Sequence, residues 1–138
     1  MEDPEQSVRT KAAAEWMAWE DAVISAESSG SPGQNSALAA RAQTAFVRIC
    51  SHYFSNDGFL ADGELLRGAD RLAGIPGVLI HGRGDISGPA ITPWELARAW
   101  PDAELFVIDG SGHTGSPAFN EAARAGADRL YATITKGR

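Results

Sequence analysis

Two short apolar runs, closed off by turn-forming residues and separated by a helix-length segment, constrain this chain most. The first is Pro76-Gly77-Val78-Leu79-Ile80-His81-Gly82 and the second is Glu104-Leu105-Phe106-Val107-Ile108-Asp109. Runs of this kind read as strands buried on both faces. Between them Thr92 is expected to cap a helix that begins with Pro93 and Trp94 and ends at Trp100, just before Pro101. A Gly-rich loop follows the second run. Pro117 to Thr135 then carries Phe119, Ala123, Ala127, Leu130 and Ile134 at helical spacing. Strand, helix, strand, helix predicts parallel strands joined by a right-handed crossover. The fold class is therefore α/β. Two strands are fewer than a doubly wound sheet uses, so the sheet reads as partial.

Upstream the pattern is helical, with no strand-like run. Val8 to Glu27 is rich in Ala, Glu and Trp, with Trp16, Trp19 and Val23 at helical spacing. Ser28-Ser29-Gly30-Ser31-Pro32-Gly33 is a loop by composition. Asn35 or Ser36 is expected to cap a second helix running through Leu38, Ala42, Phe46, Ile49 and Tyr53. Asn56-Asp57-Gly58 breaks it, and Asp62 is expected to cap a short third helix with Glu64, Leu65, Leu66 and Leu72. The division expected is a helical segment over residues 1–73 and a βαβα unit over 74–138.

Charge excludes some partners. The net charge is -6, and the twelve basic residues, ten of them Arg, are scattered rather than clustered. Nucleic-acid binding needs clustered cations to neutralise phosphate, so no nucleic-acid partner is expected. No apolar run reaches membrane-spanning length, and the acidic start Met1-Glu2-Asp3-Pro4-Glu5 is unlike a signal peptide. The expectation is a soluble cytoplasmic chain with no membrane partner. A single cysteine, Cys50, excludes an internal disulfide and reads as a small residue buried in an apolar helix face. His52 and His81 read as structural. With no metal-ligand spacing around His81, no metal or other cofactor is expected.

The chemistry sits where the two runs end. Reactive groups of open α/β sheets gather beyond the carboxyl ends of the strands. The first run leads into Gly82-Arg83-Gly84-Asp85 and the second into Asp109-Gly110-Ser111-Gly112-His113. Parallel neighbours lie about 4.8 Å apart, so loops leaving the same end can meet. Asp85 can then accept a hydrogen bond from one ring nitrogen of His113, which frees the other nitrogen to act as a base. Taken singly, the acid also reads as a turn residue and the histidine as a solvated one. Together, and in acid-then-histidine order, they read as a catalytic pair.

Three stretches carry a resemblance. They are Leu79-Ile80-His81-Gly82-Arg83-Gly84-Asp85, Ala99-Trp100-Pro101-Asp102-Ala103-Glu104-Leu105 and Gly110-Ser111-Gly112-His113. They resemble the C-terminal block of proline iminopeptidases, which reads G-R-Y-D, A-W-P-x-A-x-L and A-G-H. Trp16-Met17-Ala18-Trp19-Glu20 is similar to the W-x-x-W-E of that family's helical cap. Arg48-Ile49-Cys50-Ser51-His52-Tyr53-Phe54 is similar to its R-I-E-x-H-Y-F.

The resemblance implies a partial α/β-hydrolase, a helical cap remnant followed by the last βαβα unit. It also implies a serine aminopeptidase that releases N-terminal proline from small peptides. Asp85 and His113 match the triad acid and base, and Glu20 matches a carboxylate that holds the substrate's α-amine. The G-x-S-x-G nucleophile elbow and the oxyanion-hole glycines belong upstream, and neither occurs here. The chain alone is therefore expected to be inactive. Cys50 stands in place of a second amine-binding Glu, and Gly84 in place of a Tyr. The first departure favours an alternative, an esterase or amidase of the same fold whose substrate lacks a free amine. A further alternative is a non-catalytic, truncated binding or dimerisation module. The exposed sheet edge predicts self-association. The tryptophans near Glu20 could wall an amine pocket, but Trp94 and Trp100 are expected in the core.

Overall fold

A computed structural model describes residues 1–27 and 35–136. The loop expected at 28–33 lies outside the described residues. Two compact units result. The first takes in residues 1–26 and 35–62, and the second takes in Glu27 and residues 63–136.

The first unit is a pair of helices, α1 (Gln6–Ser25) and α2 (Ala40–Phe54), followed by a 3₁₀ turn at Asp57–Phe59. Ala13, Met17, Asp21 and Ile24 are the buried residues of α1, recurring every three or four residues on one face. Ala13 and Met17 form a small core with Val47 of α2, flanked by half-buried Met1 and Trp16. Of the stripe expected from Trp16, Trp19 and Val23, this corrects Trp19, while Trp16 packs against the core and Val23 is half-buried. Small Ala13 and flexible Met17 let the helices approach, while Trp19 turns outward at 61% exposed. Trp16 stacks on Phe54 with centroids 5.9 Å apart.

The expected stripe of α2 is corrected too. Gln43 and Val47 are buried, whereas Leu38, Phe46, Ile49 and Tyr53 are exposed. The Gln43 amide faces inward because it donates to the carbonyls of Ser36 and Leu38, at 3.0 and 2.8 Å, and so closes the chain entering α2. Neither Asn35 nor Ser36 caps that helix, which starts after Ala39. Both instead bind Asp21: the backbone N–H groups of Asn35 and Ser36 donate to its carboxylate at 3.1 and 2.9 Å, and the Ser36 hydroxyl donates as well. The hydroxyl bond from Ser36 is the main cause holding the Asp21 carboxyl below its ordinary range, against the opposing effect of burial.

The second unit holds the sheet. A short helix α3 (Glu64–Arg67), with Gly63 rather than Asp62 at its N-cap, leads through a 3₁₀ turn at Ala69–Leu72 to strand β1 (Gly77–Gly82). Helix α4 (Ile91–Ala99) connects β1 to β2 (Ala103–Ile108), and α5 (Pro117–Lys136) packs against both strands. The strands pair in parallel, Gly77 with Ala103 through Gly82 with Ile108. This is a partial α/β fold, as the grammar of the sequence predicts.

Burial differs from expectation. Only Gly77 and Gly82 of β1 are buried, and the other residues of both strands are half-buried, apart from exposed Glu104. Two strands with few helices against them leave faces that a larger sheet would cover. Helix α4 starts at Ile91, before Thr92, with Ala90 as its N-cap. Trp94, expected in the core, is 47% exposed, with the Arg98 guanidinium 4.7 Å over its ring. Trp100 is half-buried, lies against Gly77 and donates its indole N–H to the Ile75 carbonyl at 2.9 Å. No helix among the described residues is long and apolar enough to cross a membrane.

Candidate acid–base site

Register places the two chemical loops side by side. Gly82 and Ile108 are the last paired residues of the strands, so both chains leave the sheet at the same end. Beyond them the Arg83 N–H donates to the Ile108 carbonyl at 3.0 Å, and the Gly84 N–H donates to the Ser111 carbonyl at 2.9 Å. The Arg83 guanidinium also pairs with Asp109, both exposed. A side chain at 82 would not fit, since a Cβ there would stand 2.6 Å from the Ser111 carbonyl oxygen. Glycine is thus what lets the loop before the histidine lie on the end of β1.

That approach brings Asp85 and His113 together. The Asp85 side chain is 10% exposed, and its Oδ2 lies 3.2 Å from His113 Nδ1. A carboxylate only accepts, so Nδ1 carries the proton and donates it, leaving Nε2 as the free basic nitrogen. The His113 side chain is 53% exposed, so that nitrogen is open to an incoming group. The other carboxylate oxygen, Oδ1, accepts the Gly88 N–H at 2.7 Å, which fixes the rotamer of the acid.

His81 braces the same loop. Its Nε2 lies 2.6 Å from the Gly88 carbonyl and 3.9 Å from Asp85 Oδ2. A carbonyl only accepts, so this nitrogen is the donor. His81 thus holds the turn whose N–H binds Asp85, in keeping with a structural role. His52 lies in the first unit beside the rings of Tyr53 and Phe59.

Of the residues expected at the site, the structure unites Asp85 and His113. Glu20 belongs to the first unit, where its Oε1 accepts the Trp16 indole N–H at 2.9 Å, one helical turn apart. Cys50 is a free, half-buried cysteine of α2. Sequence reasoning missed Glu27, a buried carboxylate that hydrogen-bonds the backbone of both site loops. An acid between the end of a helix and a Ser/Gly loop reads as solvated, and nothing in its spacing signals partners 59 and 86 residues away.

An α/β arrangement with an acid and a histidine at neighbouring strand ends defines a class, and comparison with known proteins narrows it. No protein-family model matches the chain. It is 37% identical to the probable proline iminopeptidase of Streptomyces coelicolor, over 94% of this chain and 40% of that protein. It is 40% identical to the proline iminopeptidase of Xanthomonas citri, over 80% of this chain and 35% of that protein. With the proline iminopeptidase of Xylella fastidiosa strain Temecula1 the identity is 49%, over 51% of this chain and 23% of that protein. The chain is a homologue of proline iminopeptidases, and it spans two fifths or less of the length of these curated relatives.

Proposed function

We propose that this chain supplies the acid and base of a proline iminopeptidase-type serine hydrolase. In this reading His113 Nε2 takes the proton of a serine nucleophile and later returns it to the leaving amine. Asp85 holds the imidazole in the Nδ1–H tautomer and stabilises the imidazolium between those steps. The nucleophile and the oxyanion-hole donors come from residues outside these 138, because the sequence has no G-x-S-x-G. The substrate class is a small peptide with N-terminal proline, whose charged amine Glu20 helps to hold. The setting proposed is the cytoplasm. The observation that carries the reading is the 3.2 Å contact between Asp85 and His113 at neighbouring strand ends.

The decisive experiment grafts this chain into the Streptomyces coelicolor relative in place of the segment it matches. The graft is expected to hydrolyse prolyl-β-naphthylamide, and the isolated 138 residues are expected to be inactive, since an acid–base pair alone offers nothing to attack the carbonyl. An inactive graft that folds as its parent does, or robust turnover by the isolated chain, contradicts the reading.

A sheet of only two strands among the described residues supports a second proposal, that isolated copies self-associate through its open edge. Sedimentation of a folded monomer at high concentration would count against it.

A further inference from the structure

Within the second unit, Glu27 is a buried carboxylate, 7% exposed, that the proposed chemistry does not use. Its two oxygens divide between the two loops of the site. Oε1 accepts the N–H of Ile86, the residue after the acid, at 3.1 Å. Oε2 accepts the N–H of His113, the base itself, at 2.6 Å. We propose that Glu27 is a positioning residue for the Asp85–His113 pair, an inference that rests on the acid–base reading of those two side chains.

Geometry and energetics both favour this role. A carboxylate is rigid and planar, so binding one amide with each oxygen fixes the separation of the two backbones that carry the acid and the base. Hydrogen bonds to an ionised acceptor are shorter and stronger than neutral ones, and a buried carboxylate has few water molecules to turn to instead. The neighbourhood is shaped to admit the group. A Cβ at position 112 would stand 2.0 Å from Glu27 Oε2 and 2.8 Å from its Cδ, so the residue before the base has to be glycine for the carboxylate to reach the His113 N–H. The direct backbone link from Gly84 to Ser111 ties the loops on the strand side, and Glu27 ties them at the reactive residues. The other described polar contacts of Asp85 stay on its own side of the site: its N–H donates to the Gly82 carbonyl, its carboxylate accepts the Gly88 N–H, and His81 stands across that turn. Of the side chains named here, Glu27 is the one that grips both reactive loops by their main chain.

The test is an NMR comparison of the whole chain with its Glu27→Gln variant. An amide has a single accepting oxygen and turns N–H groups toward the second donor, so it cannot replace the carboxylate at both contacts. In the unmodified chain the His113 Nδ1 proton, shared with Asp85, is expected far downfield, with the Ile86 and His113 amides protected from exchange. In Glu27→Gln at least one of those amides is expected to exchange about tenfold faster or more. The downfield proton is expected to be lost, while amides within β1 and β2 keep their protection. Loss of the signal separates positioning from a merely structural role, because the strands stay intact.

If Glu27→Gln also loosens the strands, Glu27→Asp is read in the same way. It keeps the charge but shortens the reach, and the same signals are expected to weaken. A downfield proton unchanged in the folded variant overturns the proposal for Glu27 alone. A wild-type chain that lacks this proton overturns the acid–base reading, and the positioning role with it.

Discussion

Each unit has a buried carboxylate, Asp21 in the first and Glu27 in the second, and the two do different work. Asp21 and Glu27 are equally inaccessible, at 7% exposed. Asp21 binds the N–H groups of Asn35 and Ser36, fourteen and fifteen residues away, and so fastens the chain between two helices. Glu27 binds the N–H groups of Ile86 and His113, fifty-nine and eighty-six residues away. The first contact settles a local connection. The second can form only after the sheet has brought distant loops to one end. A buried carboxylate costs desolvation in either place, and what offsets that cost is a set of backbone donors with no better partner. The helical unit is thus organised by neighbours in sequence, whereas the strand unit is organised by the register of β1 and β2.

The largest expected effect on stability is in the helical core. Met17→Ala leaves a cavity against Ala13 and Val47, and urea unfolding is expected to show a loss of about 2–5 kcal/mol. Gly112→Ala should follow, at about 1–3 kcal/mol, because the added methyl drives into the Glu27 carboxylate. Chemical shifts of Ile86 and His113 should move with it, and an Ala variant with wild-type stability and shifts would break the account of that loop.

Acid probes the local clasp. The Asp21 carboxyl is held below the 3.8 of a free side chain, so its contribution is fully present above that pH. It is lost as the pH falls further, through the lowered folded value. The protection factors of the Asn35 and Ser36 amides are expected to fall over that range, and in Asp21→Asn this pH dependence should disappear. The smallest effect belongs to exposed ion pairs. Arg129→Ala, which removes the 3.0 Å bridge to Glu104, is expected to change stability by less than about 1 kcal/mol, with any change vanishing in high salt.

Much of the strand unit was legible in the sequence. A short apolar run between Pro76 and Gly82, and another ending at Asp109, are enough to call strands. The glycines after each explain why an acid and a histidine can be presented there. The helical unit was less legible. Trp16, Trp19, Phe46 and Ile49 advertise an apolar face, yet the helices meet through Ala13, Met17 and Val47. Size decided this, since small and flexible residues allow close approach, whereas large rings left at the periphery are only partly covered. Gln43 was unreadable for another reason: its burial follows from loop carbonyls that exist only once the chain has turned. Glu27 is the extreme case, for its partners lie fifty-nine and eighty-six residues away and no local pattern points to them.

If Asp85 and His113 work as acid and base, kcat/KM for prolyl-β-naphthylamide must collapse in the graft carrying Asp85→Asn. An Asn in that place leaves the shape intact but turns the imidazole to the wrong tautomer. A fall on the order of 10⁴-fold is expected, as for the acid of serine-protease triads, with the fold unchanged. Activity within a few-fold of the unmodified graft would contradict it.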